Sequence, residues 1–155
     1  MLQVGDQAPL DIFVEDQDGS EVSLQDYLWK YVVVYFYPND DTPGCTKEAC
    51  GFRDGMRRFE KLDVPVIGMS KDSPSKHQKF MAKYDLNFQL WSDADHELQD
   101  AFGVWQKKKF MGKEFMGTVR STFIIDPEGM VVQVWEKVKP AGHADEVEKA
   151  LKKLK

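Results

Sequence analysis

Cys45 and Cys50 are the only two cysteines in this 155-residue sequence. Two thiols five positions apart can be buried and inert, can ligate a metal, or can work as a dithiol–disulfide pair. The residues ahead of the first thiol bear on that choice. The loop Pro38-Asn39-Asp40-Asp41 runs into Thr42-Pro43-Gly44-Cys45. Threonine is a good N-cap and proline is tolerated at the first helical position, so a helix is predicted to begin at Pro43 with Cys45 at N3. Unpaired N–H groups and the positive end of the helix dipole lie there, and both favour a thiolate over a thiol. A thiol with the ordinary pKa near 8.5 is only about 3% ionised at pH 7. Bringing such a pKa to about 6 takes about 3.4 kcal/mol. A helix start supplies about 0.3–1 kcal/mol, at most about 2. A cation must therefore approach from elsewhere in the chain.

The helix is predicted to run to about Leu62, with Ala49, Phe52, Met56 and Phe59 on one face. Five residues along an intact helix place the two cysteine Cα atoms roughly 8.6 Å apart, and a disulfide needs less than about 7 Å. Either the cysteines never pair, or the first turns of the helix unwind when they do. His77, His96 and His143 are dispersed, without ligand spacing to either cysteine, so no metal site is expected.

The elements that must hold this helix are legible as apolar runs. Tyr31 to Tyr37 is an unbroken β-branched and aromatic stretch, which reads as a strand buried on both faces and stopped by Pro38. Val64 to Met69 is a second strand, and strand–helix–strand in this order makes a right-handed parallel unit. Ahead of it, short strands at Ile12 to Val14 and Glu21 to Ser23 flank the turn Asp16 to Gly19. Behind it, Ser73-Pro74 caps a helix with Phe80, Met81 and Tyr84 inward, followed by a strand at Phe88 to Trp91 and a short helix at Asp95 to Phe102. Phe110-Met111-Gly112 recurs as Phe115-Met116-Gly117, which suggests a turn or hairpin, and Lys107 to Lys109 reads as a solvated loop. Ser121 to Asp126 and Met130 to Lys137 form strands around the turn Asp126 to Gly129. A last helix turns Val147, Ala150, Leu151 and Leu154 inward. The four tryptophans are expected in core or rim packing. The predicted fold is α/β and thioredoxin-like: one domain over 1–155, a mixed central sheet flanked by helices on both faces, and an N-terminal hairpin extension.

Bulk composition narrows the function. At 42% hydrophobic and 30% charged, the sequence is ordinary for a globular domain. A net charge of -5 disfavours nucleic-acid binding. The longest apolar run, Tyr31 to Tyr37, is far short of the roughly 20 residues of a membrane span. The N-terminus shows no basic start and no apolar core of a signal peptide. The expected compartment is the cytoplasm, where a permanent structural disulfide is not expected.

With these residues in view, a family resemblance is clear. Pro38-Asn39-Asp40-Asp41-Thr42-Pro43-Gly44-Cys45 resembles the P-x-x-x-T-x-x-C signature of peroxiredoxins. Thr46-Lys47-Glu48-Ala49-Cys50 is similar to the Q-type branch, the bacterioferritin comigratory proteins. Gly112 to Asp126 is similar to that branch's arginine-bearing segment. The likeness extends from Gly5-Asp6-Gln7-Ala8-Pro9 to the last helix. Departures are one extra residue within Leu10 to Glu15 and Trp29-Lys30 in place of a commoner glycine-lysine pair. The resemblance implies Cys45 as the peroxidatic thiolate and Cys50 as the resolving thiol. It implies Arg120 as the missing cation, with Thr42 and Gly44 beside it at the substrate. Pro38 would shield the pocket from water, and Glu48 would orient the polar groups. It further implies reduction of hydrogen peroxide and organic hydroperoxides, an intramolecular Cys45–Cys50 disulfide, recycling by a thioredoxin-like dithiol protein, and a monomer. No metal, haem or flavin is required.

Two other readings of the cysteine pair compete. A protein disulfide oxidoreductase would carry C-x-x-C, and the four-residue gap counts against it. A non-catalytic redox sensor or holdase would use the same disulfide only to change shape.

Overall fold

The apolar run in the first half of the chain organises the molecule. In a computed structural model describing residues 1–155, it forms a strand whose alternate residues serve two cores. Val33, Tyr35 and Tyr37 enter one hydrophobic cluster, while Val32, Val34 and Phe36 enter the other, all buried. A strand covered on both faces needs no polar alternation, which is why the sequence shows none.

In chain order the elements are β1 (Val14–Glu15), β2 (Glu21–Val22), β3 (Val32–Phe36), α1 (Pro43–Lys61), β4 (Val66–Ser70), α2 (Pro74–Tyr84), β5 (Gln89–Ser92) and α3 (Glu97–Phe102). There follow β6 (Trp105–Phe110), β7 (Lys113–Thr118), β8 (Ser121–Ile125), β9 (Val131–Trp135) and α4 (His143–Leu154). Seven strands form one mixed sheet in the order β2-β1-β5-β4-β3-β8-β9. β3 pairs parallel with β4 and antiparallel with β8, so the strand leading into α1 is central. Phe52 and Phe59 of α1, Phe80 of α2, and Val147 and Leu151 of α4 fill one face. Leu98 and Phe102 of α3 cover the other with the N-terminal segment, through Ala8 and Leu24. Helices flank both faces as expected, three on one side and one on the other.

Several local outcomes differ from the sequence expectation. The N-terminal hairpin forms in the register Val14↔Val22 and extends the main sheet through Glu15↔Ser92. The short helix starts at Glu97 rather than Asp95, because the Asp93 carboxylate accepts the Leu98 and Gln99 amides and fixes the first turn there. Lys107 to Lys109 lie in β6, not in a loop. The repeated Phe-Met-Gly pattern marks a two-stranded hairpin of β6 and β7, closed by Met111 and Gly112, both at positive φ. Such a pair of left-handed residues suits the twist of a two-residue hairpin.

The tryptophans divide. Trp91 is fully buried, Trp105 stacks on His96, and Trp135 meets His143 edge-on. Trp29 does none of this: it is 84% exposed at φ 79. A bulky side chain in the left-handed region costs about 1–2 kcal/mol. This is the position where the resemblance led one to expect glycine, and the backbone keeps the glycine-type conformation.

Candidate active site

β3 ends at Phe36, and the chain turns through residues 38–42 into α1. Thr42 has the extended backbone of an N-cap, Pro43 occupies N1, and Cys45 falls at N3. The Thr46 amide donates to the Thr42 carbonyl at 2.8 Å, closing the first helical turn. The Thr42 hydroxyl does not cap the helix; it donates to the Asn39 carbonyl at 3.0 Å and draws the loop tight. Cys45 is only 2% exposed, while Cys50 is half-buried, and both are free thiols. α1 is continuous across both cysteines, so the roughly 8.6 Å Cα separation of helix geometry applies.

The cation that the helix start lacked comes from the segment between β7 and β8. Arg120 donates from Nη2 to Cys45 Sγ at 3.2 Å and from Nη1 to Glu48 Oε1 at 2.7 Å. Its own carbonyl is held by the Val138 amide. Gly44 leaves room for the approach, since a Cβ there would lie a tight 3.1 Å from Arg120 Nη2 and the guanidinium would have to give by a few tenths of an ångström. Pro38 and Thr42 sit half-buried on the preceding loop. The chain thus brings Thr42, Gly44, Cys45, Glu48 and Arg120 together around one helix start, with Pro38 on the loop that leads into it. Cys50 lies on the same helix, further along.

Charge in this cluster is finely divided. Burial raises the Glu48 carboxyl to about 7, although the Arg120 charge and hydrogen bond oppose the rise. The geometry gives the reason: Glu48 is 1% exposed, Oε1 takes the Arg120 bond and Oε2 has no partner. Burial also works against the Arg120 charge, but Glu48 and then Cys45 outweigh it and raise its pKa above the ordinary arginine value. When Glu48 is neutral, the whole guanidinium charge faces the sulfur. The folded protein holds this proton up to about pH 7, whereas an unfolded glutamate releases it near pH 4.3. The folded state therefore binds more protons between these values, and its stability falls as pH rises through them. At about 1.4 kcal/mol per pH unit the loss over this interval comes to about 4 kcal/mol. We expect Glu48→Gln to remove this component, so that urea unfolding at pH 5 and pH 7.5 shows the variant gaining on the wild type at the higher pH. A constant difference between the two proteins would contradict it.

One constellation was not foreseen. Asp40 and His77 are buried beneath the loop, with Tyr37 and Asp72 bonded to Asp40. The available signal was modest: His77, Phe80 and Tyr84 share a helix face at spacings of three and four, which puts a histidine on an inward stripe.

A β3–α1 junction carrying a buried thiol against an arginine, on this sheet order, defines a thiol peroxidase of the peroxiredoxin type. Comparison with known proteins agrees. The chain belongs to the AhpC/TSA family, whose model matches residues 4–134. Peroxiredoxin Bcp of Bacillus subtilis (strain 168) is 48% identical over 99% of this chain and 97% of its own length. The Bcp of Escherichia coli (strain K12) is 46% identical over 94% and 93%. A solved PrxQ variant from Xylella fastidiosa superposes with a TM-score of 0.94 at 36% identity, covering 99% of this chain and 98% of its own. The bacterioferritin comigratory protein of Xanthomonas campestris, studied for alkyl peroxide reduction, gives 0.90 at 41%, covering 96% and 99%. Within the family the chain is a Q-type peroxiredoxin, a thiol-dependent peroxidase. No helix is long and apolar enough to cross a membrane.

Proposed function

We infer that Cys45 is the peroxidatic residue and that each cycle passes through an intramolecular disulfide with Cys50. The Cys45 thiolate attacks one oxygen of a hydroperoxide, the O–O bond breaks, and the departing oxygen leaves as water or an alcohol after taking up a proton. Cys45 is left as a sulfenic acid. Arg120 and the amides at the start of α1 stabilise the charge that moves from sulfur to oxygen. The Thr42 hydroxyl and Gly44 border the peroxide, Pro38 limits water, and Glu48 holds the guanidinium in place. The observation that carries this reading is the single guanidinium bonded to both Cys45 Sγ and Glu48.

Cys50 then attacks the Cys45 sulfenic sulfur, water leaves, and a disulfide forms once the start of α1 has unwound. A thioredoxin-type dithiol protein restores both thiols by exchange. The substrates are hydrogen peroxide and organic hydroperoxides. The protein acts as a single domain over 1–155, and as a monomer, since a resolving thiol in the same chain removes the need for a dimer. A dithiol that must be reduced in every cycle suits a reducing compartment, the cytoplasm.

Adding one equivalent of hydrogen peroxide should lower the intact mass by about 2 Da and yield a peptide in which Cys45 and Cys50 are linked. Disulfide-linked dimers in place of this species would overturn the intramolecular route.

A further inference from the structure

We propose that Asp40 and His77 are positioning residues for peroxide reduction: their buried pair anchors the loop 38–42, so that α1 unwinds only downstream of it. The inference rests on the Cys45–Cys50 cycle given above.

The pair is enclosed, with both side chains 0% exposed. His77 Nε2 lies 3.0 Å from the Trp91 carbonyl oxygen. A carbonyl can only accept, so Nε2 carries a proton. His77 Nδ1 lies 2.6 Å from Asp40 Oδ2, and the Tyr37 hydroxyl donates to Asp40 Oδ1 at 2.6 Å. One proton is held between Nδ1 and Oδ2, and the pair has no net charge. Every polar atom of the two side chains is therefore matched. A buried network of this kind is rigid when complete and costly when one member is lost.

The network ties the loop to elements that carry neither cysteine. The Asp40 amide donates to Asp72 Oδ2 at 2.8 Å. Asp72 in turn accepts from Ser70 Oγ and Lys76 Nζ. Next to it, Asp41 accepts from Lys83 Nζ and the Tyr84 hydroxyl. The loop is bolted to α2 and the end of β4. A second anchor lies beyond the cysteines: Phe52 stacks on Tyr35 with centroids 4.7 Å apart, and Arg53 Nη1 donates to the Tyr84 carbonyl at 2.7 Å.

Cys45 and Cys50 both lie between the two anchors. In an extended chain, the residues from 43 to 51 can reach about 30 Å, ample slack to join two sulfurs with both ends fixed. The disulfide can therefore form inside the pinned segment while Pro38 and Thr42 stay where they are. Pinning also confines the entropy gained on unwinding to a short loop, which keeps the helix ready to re-form.

The test separates the two chemical steps. In a Cys50→Ser background, where the reaction stops at the sulfenic acid, Asp40→Asn and His77→Gln should each lower the second-order rate constant for hydrogen peroxide at least tenfold. With Cys50 present, the same variants should form the disulfide as fast as the wild type or faster, seen as lower conversion of Cys45 to sulfinic acid at high peroxide. Tyr37→Phe, which removes one hydroxyl, should shift both readouts the same way by a few-fold and covers the case in which the other variants fail to fold. Measurements are made well below each variant's Tm, where a purely structural role leaves the rate constants unchanged. Peroxide rate constants within twofold of wild type in the folded variants, or equal slowing of both steps, overturn the proposal. Peroxide reduction that survives Cys45→Ser would instead overturn the cycle on which it rests.

Discussion

Cys45→Ser is expected to reduce peroxide no faster than buffer does, whereas Cys50→Ser should complete one turnover and stop. A serine hydroxyl at N3 remains un-ionised at pH 7, and oxygen cannot take the two-electron step that sulfur takes to the sulfenic acid. No second thiol can substitute, because Cys50 sits roughly 8.6 Å of helix away from the Arg120 guanidinium's partner. Cys50→Ser keeps the whole charge arrangement around Cys45. It should consume one equivalent of peroxide at the wild-type rate, gain about 16 Da as a sulfenic acid, and fail to cycle with a thioredoxin-type reductant. Peroxide consumption followed by stopped flow, with the mass taken after one equivalent, reads both outcomes. A Cys45→Ser protein that still turned over would transfer the chemistry to Cys50 and would falsify the assignment.

Arg120→Ala is expected to lower the rate constant with hydrogen peroxide by about 10²–10³-fold, the usual cost of losing one preorganised charge-stabilising donor. The guanidinium serves the sulfur before attack and the departing oxygen during it, and no other donor is bonded to Cys45 Sγ. Arg120→Lys should recover part of the rate, because the charge returns while the fork that spans sulfur and Glu48 does not. The fold should survive. Removing Arg120 leaves Glu48 buried, but a carboxyl already raised to about 7 can simply stay protonated. An Arg120→Ala rate within threefold of wild type would remove the arginine from the reaction.

How much of this was legible beforehand follows from which interactions are local in sequence. The strand at Val32–Phe36, the Pro43 start of α1 and the Cys45 position are set by neighbours within a few residues, so pattern and capping rules find them. That a cation was needed could be argued from the helix start alone, yet its identity could not. Arg120 lies 75 positions from Cys45, and only the family likeness pointed to it. Asp40 and His77 lie 37 positions apart; the helical stripe that His77 shares with Phe80 and Tyr84 hinted at an inward histidine, but nothing near Asp40 in sequence pointed to its burial against that ring. Trp29 failed for the opposite reason. Its composition argued for burial, while the turn at that point needs a left-handed backbone whatever side chain it carries.

The unbroken run of α1 across both cysteines has a thermodynamic consequence for recycling. The oxidised enzyme must give up helical hydrogen bonds and the Arg120 contacts, and it regains them when the disulfide is opened. Each 1.4 kcal/mol so regained makes the disulfide more oxidising by about 30 mV. The folded helix thus acts as a load that reduction releases, and it biases the exchange with a dithiol donor toward the reduced enzyme.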